Sequence, residues 1–270
     1  MEFARLMVTV DLSPTTADRI KLASALAKQF GGKLIGAAAR EIRFPDFMPG
    51  KGLDARVLDA LELRAKADLE SAKELFFREV DNAVRPAWRS DTESPLDFLI
   101  RESRSADLLV VGRHGPGDGD RGEFDFSVGT LLMESGRPVF LVPPNTSRIS
   151  TERILIAWKD TRETRRAIAD ALPLLRSARQ VWLATFGLDI ARDVQDISEY
   201  LSAHGIEPRA TAVSVASDNP ATDILAFAEA ENSEIVVMGA YGHSRLREWM
   251  FGGVTRYFLE NTPICCFMSR

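Results

Sequence analysis

The sequence contains one order of segments twice, and this internal repeat limits the folds that the chain can adopt. The segment RLMVTVDLSPTTADRIKLASALA from Arg5 corresponds to RILIAWKDTRETRRAIADALPLL from Arg153, because each has an apolar run, a polar turn and a helical pattern. In the same way, SPLDFLIRESRSADLLVVGRHG from Ser94 corresponds to NPATDILAFAEAENSEIVVMGAYG from Asn219. The repeat predicts two copies of one fold, with domains at 1–147 and 148–270 that are joined near PPNTSRIST.

Within each copy, short apolar runs alternate with longer segments of helical period. The predicted strands are LMVTV, KLIGAAA, AVRPAW, DLLVVG and PVFLV in the first copy, and ILIAW, QVWLATF, PRATAVSV, EIVVMG and PICCFM in the second. Nearly continuous apolar runs are typical of parallel strands that helices cover on both faces. The alternation predicts an α/β fold with two tandem, doubly wound, five-stranded parallel-sheet sandwiches. Ligands of such sheets bind beyond the carboxyl ends of the strands.

Composition and the pattern of apolar segments give no indication of a nucleic-acid or membrane partner. A formal net charge of -5 gives no indication of nucleic-acid binding. The start MEFARLMVTVDLS lacks the layout of a signal peptide, and no apolar stretch approaches the length of a membrane span, so we expect a cytoplasmic protein with no membrane partner. The adjacent Cys265 and Cys266 are interpreted as buried small hydrophobic residues, with a vicinal redox pair as the less favoured alternative.

Two pairs of glycines follow the fourth predicted strand of the second copy. Gly239 and Gly242 come directly after the apolar run, whereas Gly252 and Gly253 precede VTRYFLEN, which has helical spacing. Glycine lets a ligand approach the backbone without meeting a Cβ, and a helix start offers unpaired N–H groups to an anion. The pattern therefore indicates a phosphate site, and ordinary turn chemistry stays open as an alternative. It is not a Walker loop, because no Gly-Lys-Ser/Thr follows.

The spacing G-x2-G-x9-G-(S/T) after strand four resembles the nucleotide-binding signature of the universal stress proteins. Here Gly253 stands where the signature has serine or threonine. The segment VTVDLS after strand one and a last strand entered through RPV or TPI also fit, so the chain is similar to the tandem form of the family over essentially its whole length. The resemblance implies a fold like that of the adenine-nucleotide α-hydrolases and a stress-response role that depends on nucleotide binding.

The same resemblance implies which residues of the second copy bind the nucleotide. They are Ala157, Trp158 and Lys159 after strand one, Phe186 after strand two, Met238, Gly239, Gly242 and His243 in the first half of the phosphate loop, and Gly252, Gly253, Val254 and Thr255 in its second half. Lys159 stands where the family often has an acid, which removes a ribose acceptor and adds a phosphate donor. Gly253 lacks a hydroxyl contact of about 1 kcal/mol, so weakened binding is expected.

The first copy departs from the signature in its loop rather than at the end of strand one. It keeps the acid after strand one, Asp11, but its loop after strand four is longer and acidic. The loop carries four carboxylates against Arg121, and these are Asp118, Asp120, Glu123 and Asp125. Carboxylates oppose a triphosphate, and the spacing is not that of an EF-hand, so a solvated loop is predicted and phosphate binding is assigned to the second copy.

No catalytic or metal-ligating residue is predicted. The sequence has no Ser-His-Asp elbow and no Cys-His pair, and its three histidines lack metal-ligand spacing. We expect a protein that binds an adenine nucleotide, ATP with or without Mg²⁺, and couples it to a conformation or to an unknown protein partner. A nucleotide-free scaffold and a slow ATPase stay open as alternatives. The family pairs its domains through the last strand, which implies an intramolecular pseudo-dimer, and a further homodimer is left open.

Overall fold

The computed structural model of the protein describes residues 2–42, 55–119, 121–186, 191–214, 219–242 and 253–270, without the side chains of 191–193. The strands are β1 Arg5–Thr9, β2 Lys33–Ala39, β3 Ala87–Asp91, β4 Leu108–Gly112, β5 Val139–Val142, β6 Arg153–Trp158, β7 Gln180–Phe186, β8 Pro208–Val213, β9 Ile235–Gly239 and β10 Cys265–Ser269. The helices are α1 Thr16–Gln29, α2 Ala55–Glu79, α3 Pro95–Ser103, α4 Val128–Glu134, α5 Arg162–Ser177, α6 Ala191–Ala203, α7 Pro220–Ala230 and α8 Gly253–Asn261.

All ten strands lie in one sheet, in the order β3-β2-β1-β4-β5-β10-β9-β6-β7-β8. Within each half the neighbouring strands are parallel and the order is that of a doubly wound sheet, which confirms the predicted α/β fold. The halves are joined by β5 and β10, which pair antiparallel through Leu141 with Cys266 and Val139 with Met268. The last strands of the two repeats therefore make the contact that the resemblance implied.

The third strand begins later than its apolar run. The run AVRPAW predicts a strand from 83, but Asn82–Val84 form a 3-10 turn that the Asp81 side chain caps by accepting from the amide of Ala83 at 2.9 Å. Arg85 then has a left-handed φ of 51°. Because Pro86 has no N–H to donate to a neighbouring strand, pairing begins at Ala87. The predicted start of β3 is therefore wrong, because the strand begins four residues later than predicted.

Helices cover both faces of the sheet, and successive strand residues enter opposite cores. Leu6 and Val8 belong to the core on one face, whereas Met7 belongs to the core on the other. Cys265 and Cys266 divide in the same way, and both are free thiols and buried. Burial raises the pKa of each thiol, so both stay protonated, which confirms their interpretation as small hydrophobic residues.

Within the described ranges, no helix combines the length and the apolar character needed to cross a membrane.

Candidate functional site

Three neighbouring strands of the second half end at the same edge of the sheet. β9, β6 and β7 are adjacent and parallel, and Trp158 at the end of β6 pairs with Thr185 of β7. On the other side, Ile156 pairs with Val237, so Phe186 and Gly239 reach the edge beside Trp158. The chain winds outward from β6 through β7 and returns to β9, so this edge is where the strand order reverses. Ligands of open α/β sheets bind at such a point.

The first turn of α5 closes this edge from one side. The hydroxyl of Thr161 accepts from the amide of Thr164 at 3.2 Å and so caps the start of the helix. The carbonyl of Lys159 accepts from the amide of Thr161 at 2.7 Å, and the side chain of Lys159 is exposed. The positive end of α5 and an exposed cation are thus placed together where β6 ends.

Gly239 is required by the way α5 packs on β9. A Cβ at this position would lie 2.4 Å from the amide nitrogen of Thr164 and 2.7 Å from the carbonyl carbon of Glu163. Both atoms belong to the helix backbone, which cannot move without shifting the helix. The close approach of the helix backbone explains Gly239 by packing rather than by contact with a ligand.

A carboxylate that sequence reasoning missed lies beside the first half of the glycine loop. A Cβ on Gly242 would lie 3.2 Å from Oε2 of Glu163 and 3.3 Å from the Cβ of Thr161. The Glu163 side chain is 8% exposed, and its Oε1 accepts from Nε of Arg162 at 3.1 Å. Its position in the first turn of the helix after strand one is the signal that could have found it.

The second half of the loop leads into α8, which begins at Gly253 as the glycine pattern predicts. A Cβ on Gly253 would have no neighbour within 4 Å, and the residue is exposed. The hydroxyl of Thr255 accepts from the amide of Tyr241 at 3.3 Å, which connects the start of α8 to the residue before Gly242. Val254 is half-buried at the same turn. The remaining loop residues predicted for the site, His243 and Gly252, lie outside the described residues.

The remaining predicted site residues lie under this edge. Ala157 and Met238 are buried, with exposed fractions of 8% and 5%, and both belong to one core cluster. Phe186 is half-buried, and its ring is 6.3 Å from that of Phe227 on α7. The described residues of the predicted set therefore come from strand ends and helix starts that share one edge of the second half.

The corresponding place in the first half is filled by the protein's own charges. Asp11, which is 3% exposed, accepts from the amide of Ser13 at 2.9 Å, from the hydroxyls of Ser13 and Thr16, and from Nη2 of Arg19 at 2.7 Å. Burial raises the pKa of Asp11, but Arg19, Arg121 and the two hydroxyls together hold that pKa well below its usual range. The carboxylate is therefore fully occupied within the protein.

An arginine occupies the space beside the end of β4. A Cβ on Gly112 would lie 2.3 Å from Nη1 of Arg19 and 3.1 Å from Nη2 of Arg121. Nη2 of Arg121 also donates to the carbonyl of Gly112 at 2.7 Å. Gly112 corresponds to Gly239 in the repeat. The missing side chain leaves room for guanidinium groups beside Gly112 and for the backbone of a helix beside Gly239.

The prediction of a solvated loop after β4 is wrong for Asp118 and Arg121. Asp118 is 8% exposed at its side chain and accepts from Nε of Arg113 at 3.0 Å and from the amide of Gly115 at 2.8 Å. Arg121 is buried. Arg113 is a second cation of this loop beside Arg121, and its guanidinium holds the turn together through Asp118. Asp120 lies outside the described residues.

The same loop packs against the second half. A Cβ on Gly115 would lie 1.8 Å from the carbonyl oxygen of Glu260, the penultimate residue of α8. Nη1 of Arg113 donates to the carbonyl of Thr262 at 3.1 Å. The first-half loop thus contacts the end of the helix whose start forms part of the candidate site.

Among the described residues, no three His, Cys, Asp or Glu side chains are grouped so that they could hold a metal ion.

Comparison with known proteins identifies a family for both halves. A model described as the universal stress protein family matches residues 2–129 and 151–270. A search of curated proteins found no match to the sequence.

Two solved structures share the fold along nearly the whole chain. A universal stress protein from Archaeoglobus fulgidus DSM 4304 aligns with a TM-score of 0.72 at 16% identity, and the alignment covers 98% of this chain and 96% of that chain. A protein of unknown function from Pseudomonas aeruginosa PAO1 aligns with a TM-score of 0.52 at 13% identity, covering 99% and 92%. At these identities the likeness concerns the fold alone.

Proposed function

Because the chain belongs to the universal stress protein family, we propose that its second half binds an adenine nucleotide and that the nucleotide sets a conformation or a partner contact in the stress response. One observation carries the proposal. The ends of β6, β7 and β9 and the starts of α5 and α8 converge where the strand order reverses. The first amides of a helix have no partner within the helix, and two helix starts at one edge suit an anion such as a polyphosphate.

Each predicted residue has a part in this proposal. The phosphates bind to the backbone amides of the loop between Gly239 and Gly253 and are neutralised by the exposed side chain of Lys159. The adenine lies against the ends of the first two strands, where the half-buried ring of Phe186 offers aromatic surface and the backbone at Trp158 offers hydrogen bonds. Of the other members of the predicted set, Ala157, Met238, Gly242, Val254 and Thr255 belong to the same strand ends and loop ends, and His243 and Gly252 are assigned to the loop from the sequence alone.

Glu163 favours a nucleotide that carries Mg²⁺ over a metal-free one. Its Oε2 lies near Gly242, inside the part of the loop assigned to phosphate. A carboxylate repels a polyphosphate, and this repulsion is stronger at the buried position of Glu163 than in bulk water. A divalent cation carried by ATP offsets both negative groups. The proposed ligand is therefore ATP with Mg²⁺, and hydrolysis is not part of the proposal.

Titration with MgATP tests the proposal. Trp158 lies at the proposed site and is one of four tryptophans, so a change in its surroundings should alter the total tryptophan emission. At a nucleotide concentration a hundred times the dissociation constant, the free energy of unfolding should rise by about 2.7 kcal/mol, which raises the melting temperature. An absence of both responses at millimolar MgATP would favour a nucleotide-free scaffold instead.

A pair of charge variants keeps this test independent of folding. Lys159→Gln removes an exposed cation from the proposed phosphate site, whereas Lys33→Gln removes an exposed cation from the first half. We expect Lys159→Gln to weaken MgATP binding and Lys33→Gln to leave it unchanged. Equal effects of the two variants would mean that only the overall charge matters.

A further inference from the structure

The first half contains a cavity of about 410 Å³. All of its lining residues lie between positions 12 and 124, so the cavity is separate from the proposed nucleotide site of the second half. Ser13 follows β1, Arg40 follows β2, Arg64 lies on α2, and Arg121 lies in the loop after β4. Leu12 and Arg64 are exposed, so the cavity reaches the surface. Its volume lies in the range of small-molecule sites, about 300–1,000 Å³.

The lining carries an excess of positive charge in a chain whose formal net charge is -5. Its charged residues are three arginines and two carboxylates. Nε of Arg40 pairs with Oδ2 of Asp68 at 2.7 Å, so these two charges offset each other. The remaining arginines, Arg64 and Arg121, line the cavity together with Glu123. The cavity is therefore suited to an anion rather than to a cation.

Arg121 has hydrogen-bonding capacity that the described part of the chain does not use. The residue is 7% exposed, and its Nη1 has no acceptor among the described residues. Nη2 donates to the carbonyls of Gly112 at 2.7 Å and Arg113 at 3.0 Å. The carboxylate of Asp11 lies 3.9 Å from Nε but is already engaged by Arg19. A buried donor without an acceptor is unfavourable, and an oxyanion in the cavity would provide one.

The charge of this guanidinium persists at neutral pH. Burial, followed by repulsion from Arg19, lowers the pKa of Arg121 to about 10. The apolar part of the lining is formed by Leu12, Leu61 and Phe124, so the cavity offers an uncharged surface next to its arginines.

We propose that this cavity binds a small organic phosphate monoester, with the phosphate against Arg64 and Arg121 and an uncharged body against Leu61 and Phe124. Guanidinium groups bind phosphate oxygens through paired, charge-assisted hydrogen bonds, and two of them suit a dianion. The site uses side chains where the proposed site of the second half uses backbone amides. It does not depend on nucleotide binding, since every lining residue belongs to the first half.

Calorimetric titration of the full chain with phenyl phosphate tests this proposal, because the probe combines a phosphate dianion with an apolar body. Arg64→Gln removes an exposed side chain that lines the cavity, and Lys66→Gln makes the same change of charge on an exposed residue of α2 outside the lining. We expect Arg64→Gln to weaken phenyl phosphate binding about tenfold, as for a lost charge-assisted contact, and Lys66→Gln to leave it unchanged. Inorganic phosphate should bind more weakly than phenyl phosphate.

Three results would overturn the proposal. One is the absence of heat at millimolar phenyl phosphate, and another is equal weakening by Arg64→Gln and Lys66→Gln. The third is phenyl phosphate binding that Lys159→Gln abolishes, because the ligand would then occupy the second half. Failure of the nucleotide proposal is distinguishable, since the MgATP response should be the same in Arg64→Gln and in the wild type.

Discussion

The Cβ position of Gly239 lies 2.4 Å from the amide nitrogen of Thr164. The strand end and the helix start are thus in direct backbone contact at the candidate site. The contact holds the positive end of α5 against the edge of the sheet at which β6 and β9 end. It makes Gly239 a determinant of the site's shape whether or not a ligand touches it.

Replacing Gly239 with alanine should destabilise the fold. The added methyl group would overlap the backbone of α5, and overpacking of this kind typically costs about 1–3 kcal/mol. Urea unfolding of Gly239→Ala measures the loss. Gly253→Ala is the matched control, because its Cβ has no neighbour within 4 Å and its free energy of unfolding should not fall. An unchanged stability of Gly239→Ala would contradict the close packing of β9 and α5.

Restoring the hydroxyl of the signature should strengthen nucleotide binding. Gly253→Ser fits without steric conflict, because nothing lies within 4 Å of the new Cβ. One added hydrogen bond of about 1 kcal/mol corresponds to roughly fivefold tighter binding of MgATP. Calorimetry on Gly253→Ser and Gly253→Ala separates the effect of the hydroxyl on the affinity from the effect of the added carbon atom. If both variants bind MgATP alike, the hydroxyl makes no contact with the nucleotide.

Neutralising Glu163 should reduce the dependence of ATP binding on Mg²⁺. Its carboxylate oxygen lies 3.2 Å from the Cβ position of Gly242, so Glu163→Gln removes a negative charge next to the proposed phosphates. We expect the affinity for ATP in the presence of a chelator to rise severalfold, whereas the affinity for MgATP changes little. Asp160→Gln, an exposed acid just before α5, serves as the control. An unchanged ratio of the two affinities in Glu163→Gln would place the phosphates elsewhere.

The buried pair of Asp11 and Arg19 should make the first half sensitive to acid. The pKa of Asp11 is lower in the folded protein than in the unfolded chain, so the unfolded state takes up the proton first. The stabilisation is complete above the unfolded value of about 3.9 and is lost progressively as the pH falls below it. Urea unfolding from pH 6 to pH 2 should show a free energy of unfolding that is flat above the unfolded value and then falls, by up to about 1.4 kcal/mol per pH unit for this group, as the pH drops below it.

Two variants test the assignment of this acid sensitivity. Asp11→Asn should flatten the acid limb, whereas Asp59→Asn, an exposed residue of α2, should leave it unchanged. Arg19→Met leaves a buried carboxylate without its main partner and should cost about 3–5 kcal/mol at neutral pH. An acid limb that persists in Asp11→Asn would mean that other carboxylates carry the effect.

The sequence alone predicted the architecture because the repeat and the apolar runs are properties of the chain itself. The ends of β6, β7 and β9 followed from runs that stop at Trp158, Phe186 and Gly239. The start of β3 did not, since AVRPAW is largely apolar while a capped turn and Pro86 decide where pairing begins. Apolar content reports burial, whereas pairing also requires a free N–H.

The charges around the site could not be predicted from spacing. Arg19 reaches Asp11 across one helical turn and a loop, and the length of its side chain allows it to fill the space beside Gly112. Glu163 lies beside Gly242, which is 79 residues away in the sequence and meets it only because β6 and β9 are neighbours. Contacts of this kind depend on tertiary structure. The sequence shows that these charged residues are present but not which residues they contact.

Calorimetric titration of MgATP into the wild-type chain and into Gly242→Val tests directly whether the glycine loop of the second half binds the nucleotide. A valine at 242 would place its branched side chain against Thr161 and Glu163, which lie 3.2–3.3 Å from the Cβ position, and would obstruct the loop. We predict saturable binding to the wild type that is lost in Gly242→Val while the variant still unfolds cooperatively. Nucleotide binding at this loop is contradicted if the wild type gives no binding heat at millimolar MgATP, or if a folded Gly242→Val binds the nucleotide as tightly as the wild type does.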